Sequence, residues 1–505
     1  MARREAVRIA TRVTTGIAGV AVLGVVVAGA LLLPPAAVGA SAPSVLVTPV
    51  ATDQLRVCAG ALLRPPEADA SSTTTAVAVG SAAVTSGSAV AGEADGGPGV
   101  RTSRIPAPDV QGGDSSQASV LAVAGDVDGE PTDLAGAASE IAGEGDLAGL
   151  AAVPCAEPTA ESWLVGGATT TGRTSFVVLD NPSGVASTVD LAIAGEEGPV
   201  SAPGASGISV PAGSRRVLSL AGLAPDLASP AVHVQSRGGQ VVARLEQSTV
   251  RGLLAGGVDW IGPAAAPATR LTMTGLRIDS ASAPVAPVEG EEAPAVDDGG
   301  SAPGAGSDPG TDPDRETAVR ILVPGTEDAD VSVSVAPEDG TDGTGTTFTV
   351  QADAGRTLDV PVTDLPDGRY AVTVQSSVPV TAAVRSVSGA AESGATDFAW
   401  LPSAEALTRD ALVSVPEGPA PLLHLRNAGD AVATVTARPT DGTEAVEIQV
   451  PAGSAASVAV AAGRTYLLEG ATDLTATVTL AEPGRSAALP VVPVLPAADP
   501  LRVHP

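Results

Sequence analysis

The chain contains no lysine; its 27 basic residues are all arginine. Without a lysine amine, Schiff-base and serine–lysine chemistry are excluded. Histidine is almost as scarce, with only His233, His424 and His504. His233 occupies an outward position on an alternating strand, His424 sits on another strand, and His504 is one residue from the carboxyl end. Nothing in their spacing brings them together, and all three read as surface histidines. Gly-x-Ser-x-Gly, His-Glu-x-x-His and Gly-x-x-x-x-Gly-Lys patterns are missing. Aromatic residues make up 2% of the chain. Glycosidases hold two carboxylates about 5–10 Å apart across a sugar-shaped cleft, and aromatics normally wall such clefts. The pairs Glu196-Glu197 and Asp297-Asp298 fall in a turn and in an acidic stretch instead. Asp126-Val127-Asp128-Gly129 and the run from Asp308 to Glu316 match no full EF-hand loop and read as solvated acidic loops. The chain is therefore read as non-enzymatic, with no cofactor and no metal site.

Net charge is −30, from 27 basic and 57 acidic residues. A field of that sign repels phosphate backbones, so nucleic acid is not an expected partner. One long apolar run exists, Ile17 to Leu33, preceded by Arg3, Arg4, Arg8 and Arg12. At about 1.5 Å per residue it would span roughly 25 Å as a helix, near the lower limit for a bilayer. Pro34-Pro35 and the small residues Val38 and Ala40 follow it, so a cleaved signal and a retained anchor both fit. Either way the positive-inside rule leaves the amino terminus inside and the bulk outside. The expected location is the cell membrane, single-pass, or secretion if the signal is cut. Two cysteines in an exported chain, Cys58 and Cys155, suggest one disulfide; two buried free thiols are the alternative. The chain-entropy model gives a loop of that length about 4–5 kcal/mol.

Three stretches repeat one order of elements. They open with Thr174-Ser175-Phe176-Val177-Val178-Leu179, with Ala318-Val319-Arg320-Ile321-Leu322-Val323, and with Leu422-Leu423-His424-Leu425-Arg426. Turns follow at Asp180-Asn181-Pro182, Pro324-Gly325 and Asn427-Ala428-Gly429, then alternating strands such as Thr188 to Ile193 and Val331 to Val335. Val232 to Ser236 with Val241 to Leu245, and Val372 to Ser376 with Val380 to Arg385, read as hairpin-like pairs. Trp260 and Trp400 recur near the close of two repeats, which points to a core or domain-junction role. Seven or so short strands in about 85–100 residues predict an immunoglobulin-like β-sandwich. The expected fold class is all-β: tandem sandwiches after one amino-terminal transmembrane or signal helix, with disordered acidic linkers. The expected domains are residues 1–40, a cytoplasmic stub and helix; 41–160, a degenerate β region carrying a disordered insert from Ala68 to about Gln117; 161–270, sandwich one; 280–314, a disordered acidic linker; 315–403, sandwich two; and 408–497, sandwich three.

Cys58-Ala59-Gly60, Cys155-Ala156-Glu157-Pro158, Trp163-Leu164-Val165-Gly166-Gly167 and Leu179-Asp180-Asn181-Pro182 together resemble an exported actinobacterial family of unknown function (domain of unknown function 5719). The resemblance covers most of the chain after the apolar run. It implies a cell-envelope location and supplies no activity, ligand or catalytic residue. The leading expectation is a spacer or interaction module of the envelope, held to the membrane by its amino-terminal helix. Its partner would be an envelope protein or a wall polymer. A protein that binds wall glycan or peptidoglycan is the alternative, and it requires exposed aromatics near one sandwich end. A hydrolase with an unrecognised site is a third, and it requires a cleft with convergent carboxylates or a histidine.

Overall fold

Valine, threonine and alanine in period-two patterns, broken by glycine and proline turns, dictate strands. The computed structural model is accordingly almost entirely β. It describes residues 45–47, 53–67, 74–90, 97–127, 130–279, 316–339, 344–390, 395–492 and 501–503. The apolar run Ile17 to Leu33, His504 and the acidic stretch 280–314 lie outside these. The four-residue turn Leu220–Leu223 is the only α-helix among the described residues, and none of their helices is long and apolar enough to cross a membrane. Two compact units are present. In the smaller, Val45–Val47 pairs antiparallel with Leu501–Val503. The larger, Ala51–Ala497, contains four β bodies.

Bodies one and three share a plan. In body one, Glu161–Val165, Ala231–Gly238, Ser187–Gly195 and Ile208–Val210 form one sheet. Ser214–Ser219, Arg173–Asn181, Val242–Arg251 and Leu254–Ile261 form the other. In body three the corresponding strands are Ala411–Val415, Arg464–Glu469, Ala433–Pro439 and Val446–Val450, facing Ala455–Ala459, Leu422–Asn427, Leu474–Glu482 and Arg485–Pro490. The two sheets of each body share one apolar core: Leu191, Ile193 and Val234 meet Val177, Leu179 and Leu245 in body one. Ser187–Gly195 alternates buried and open positions along its length, as a one-sided strand should.

Body two departs from the expectation in two ways. The segments read as a hairpin, Val372 to Ser376 and Val380 to Arg385, are one strand of 22 residues, Gly368–Gly389. Its first half pairs with Ala329–Pro337 and its second with Ala318–Leu322 and Thr396–Pro402, so it crosses between sheets. The first strand of the body is Ala268–Ile278, which pairs with Gly368–Gly389. A boundary drawn at residue 270 cuts that strand, and the acidic stretch lies in sequence between the first two strands of body two. Inter-strand hydrogen bonding, which the linear pattern does not display, decides this.

The amino-terminal body is also a correction. The insert expected from Ala68 to Gln117 carries the strands Ala76–Val79, Ala83–Val90, Arg101–Ile105 and Val110–Gln111. Low apolar content had pointed to disorder there. The strands are held instead by pairing: Ala83–Val90 lies along Glu130–Glu144, which also pairs with Leu147–Pro154.

Candidate functional site

The last strand of each body is a sheet edge. These closing strands are Leu147–Pro154, Leu254–Ile261, Thr396–Pro402 and Arg485–Pro490. They pack in a closed cycle, each against at least two of the others, and Leu147–Pro154 also touches Thr396–Pro402 across it. Each also enters a neighbouring core. Trp260 of body one is buried with Cys58, Leu121 and Leu134 of the amino-terminal body, and Trp400 of body two with Val177 and Leu245 of body one. Ala488 of body three joins the core of body two, and Leu150 and Ala152 of the amino-terminal body join that of body three. Of the two roles expected for Trp260 and Trp400, core or domain junction, the structure shows both at once: each is buried in a neighbouring body's core.

An edge strand leaves backbone N–H groups unpaired, and burial makes each of them costly. Two carboxylates take them up. Asp397 Oδ2 accepts from the N–H of Leu150 at 2.8 Å and of Ser486 at 3.1 Å, and its Oδ1 accepts from Val258 at 3.1 Å. Asp259 Oδ2 accepts from the N–H of Trp400 at 2.7 Å. Asp259 and Asp397 therefore tie all four closing strands into one hub.

Polar clips join the bodies around the hub. Between the amino-terminal body and body one, Asp180 is fully buried. It accepts from Arg215 Nε at 2.6 Å and Arg244 Nη1 at 3.2 Å, while Arg244 Nη2 donates to the carbonyl of Val57. Between bodies one and two, Arg320 binds Asp359 through two bonds of 2.7 and 2.9 Å and donates to the carbonyl of Gly167 at 2.8 Å. Its guanidinium lies 4.7 Å from the Trp400 ring centroid. Between body three and the amino-terminal body, Arg409 holds Asp133 at 2.6 Å. The fourth clip overturns an expectation. His424 is not a surface residue but 1% exposed, its Nδ1 2.8 Å from Glu338 Oε2 and its Nε2 2.8 Å from Thr479 Oγ1. Body two's Gly275, at φ +84, gives way to the imidazole; a Cβ there would stand 3.0 Å from its Cδ2. His424 and Thr479 line a cavity of about 410 Å³.

The cysteines are bonded, Cys58 to Cys155, with Cα atoms 4.1 Å apart at a sequence separation of 97. The bond pins the amino-terminal edge of the chain beside the end of a closing strand. Just past that end lies a second cavity, of about 460 Å³. Its walls include the segments that leave all four closing strands, Cys155 to Glu157, Gly262 to Pro267, Ser403 to Glu405, and Val491 with Val492. Trp163 lines it too, half-buried and stacked on His233 with ring centroids 3.8 Å apart. His233 Nε2 lies 2.7 Å from Glu161 Oε1, so this partly exposed histidine is anchored by two residues that line the cavity. Arg56 pairs with Glu157 in the wall. The Ser403 hydroxyl is buried there without a hydrogen-bond partner. Such a lining holds an apolar group and offers a few polar contacts for orientation.

Among the described residues no group of three or more His, Cys, Asp or Glu is placed to hold a metal. Glu196, expected in a turn, is there and accepts from the N–H groups of Ala228 and Ser229. Asp128 and residues 308–315 lie outside the described residues. The hub aspartates and Glu338 escaped sequence reasoning. The available signal was a lone acid inside an apolar strand end, as in Val258-Asp259-Trp260 and Asp397-Phe398-Ala399-Trp400.

No curated protein matches the chain. Among solved structures, a chain titled "Biofilm associated protein - BSP domain" aligns over 92% of this chain and 100% of its own, at 9% identity and a TM-score of 0.11. A likeness that slight carries no argument. The model of a family of unknown function, DUF5719, matches residues 110–461. The chain is a member of that family.

Proposed function

We propose that this protein is a non-enzymatic interaction module of the cell envelope, exported or anchored by its amino-terminal segment. Its bodies one to three are read as immunoglobulin-like β-sandwiches. The cavity at the end of the hub is its binding site, and the favoured ligand is an apolar segment of an envelope protein. The carrying observation is that the 460 Å³ cavity is built jointly by the exits of all four closing strands. A ring of bodies that share cores supports a single rigid module over an extended spacer. Ala266 and Val492 line the cavity from exposed positions, so Ala266→Trp and Val492→Glu should alter it without touching the core. The test presents envelope extract and purified wall to the chain from Ser41 onward. A defined protein retained by wild type and lost from both variants supports the reading. Retention on wall polymer, lost in Trp163→Ala, would favour the glycan alternative, which has Trp163 beside Glu161 and His233 in its support.

A hydrolase reading has one observation of its own: hydroxyl, imidazole and carboxylate stand in the order of a nucleophile relay at Thr479, His424 and Glu338. Turnover of a p-nitrophenyl acyl ester, abolished in Thr479→Val, would support it; no turnover by the wild type would dismiss it.

A further inference from the structure

We propose that Asp259 and Asp397 form a proton-operated clamp: with a proton on Asp259 and a bare carboxylate at Asp397 the four closing strands lock, and loss of that proton loosens them. Both side chains are fully buried, and neither has an ion-pair partner among the described residues. The hub's surroundings contain little to balance them. The closing strand Leu147–Pro154 carries no charged residue. On Arg485–Pro490 the only charge, Arg485, pairs with Glu482. Arg251 is turned to Thr396 Oγ1 and the carbonyl of Gly256. Arg320 and Arg385 lie over the Trp400 ring, and Gln247, which accepts from Trp400 Nε1, is neutral. Glu246, across from Trp260, is engaged with the N–H of Leu63.

The two carboxylates are not equivalent. Both oxygens of Asp397 accept backbone N–H groups, which is how a buried anion is satisfied. Asp259 has only Oδ2 engaged; its Oδ1 is buried without a partner. A charge on that oxygen would lack a hydrogen bond, so the proton belongs there. Two glycines confirm how tightly Asp397 is seated. A Cβ at Gly149 would stand 2.5 Å from its Oδ1, and one at Gly257 2.8 Å. Burial raises Asp397 too, but four backbone N–H groups oppose it, so the proton the pair holds goes to Asp259. Burial, then the charge of Asp397, drives Asp259 well above the ordinary carboxylate range.

When the hub opens, both acids meet water and return to ordinary values near 4. Opening then releases the Asp259 proton once the pH is above about 4, so the clamp is tightest in acid and weakens as pH rises. The test is hydrogen exchange of the full-length protein from pH 5 to pH 8, read on peptides containing Leu150, Val258, Trp400 and Ser486. After correction for intrinsic exchange, protection should fall about tenfold per pH unit for one linked proton. Asp259→Asn, neutral at every pH, should remove most of that slope, whereas Glu140→Gln should leave the wild-type slope at these peptides. Asp397→Asn, whose amide nitrogen cannot accept N–H groups, should lower protection at all pH values. Protection independent of pH in the wild type would overturn the clamp, as would a wild-type slope in Asp259→Asn. The wild-type measurement stands even if a variant fails to fold.

Discussion

Gly257 shows how much one residue decides. Its φ of +121 is rare for L side chains, and a Cβ would stand 2.6 Å from the Phe398 ring. Gly257→Ala should therefore destabilise the protein by more than about 1 kcal/mol, seen as a lower denaturant midpoint with an unchanged slope. Exposed Gly184, with nothing near its Cβ position, should tolerate the same change. Glu140 is a second case. Burial pushes its carboxyl up to about 7, against the N–H groups of Leu62 and Ser81 that lower it. A raised carboxylate means that the folded state holds its proton longer than the unfolded chain does. Its stabilising effect is complete below the unfolded value near 4.5 and is lost as pH rises through about 7. Thermal scans should show a melting temperature that falls over this window, with a shallower fall in Glu140→Gln.

At the scale of elements, the repeat is written in particular residues. Asn181 donates to the carbonyls of Val185 and Val210, at 2.8 and 3.1 Å. Asn427 donates to those of Ala431 and Val450, at 2.7 and 3.1 Å. Each Oδ1 also accepts an N–H two residues on, from Ser183 and Gly429. One asparagine thus closes the same turn in bodies one and three. Asn181→Ala and Asn427→Ala should each cost about 1–3 kcal/mol, because buried carbonyls lose their donors. Equal losses by chemical denaturation would confirm that the two turns are equivalent; a loss at one site only would refute it. The strand Arg173–Asn181 lacks alternation for a structural reason. Val177 and Leu179 face its own core while Phe176 and Val178 face that of the amino-terminal body. A strand buried on both faces shows a continuous apolar run instead of alternation. Gly368–Gly389 was misread for another reason: Pro379 and the polar Ser376-Ser377 look like a turn, yet the backbone runs through them from one sheet to the next.

For the whole molecule, shared cores change what domain means. Trp400 sits in the core of body one although its strand belongs to body two, and Leu150 does the same for body three. A body taken from the ring loses part of its core and exposes part of another's. Residues 51–497 should therefore unfold in one cooperative calorimetric transition. Three or four resolved transitions would show that the bodies are independent. The Cys58–Cys155 bond constrains a loop that includes most of the amino-terminal body, worth about 4–5 kcal/mol in the chain-entropy model, and reduction should lower that single transition.

Sequence alone determined the all-β class and the family, and it marked the repeat that bodies one and three share and favoured the disulfide over two free thiols, because these rest on local period, turn chemistry and residue identity. It also marked Trp260 and Trp400 as core or junction residues from their recurrence. It misjudged His424, the strands between Ala68 and Gln117, and the start of body two. It gave no hint that the ring closes. Those features depend on which strand edges meet across hundreds of residues and on which acids are driven into a dry interface to satisfy them. No local pattern records that partnership; only the tertiary structure decided it.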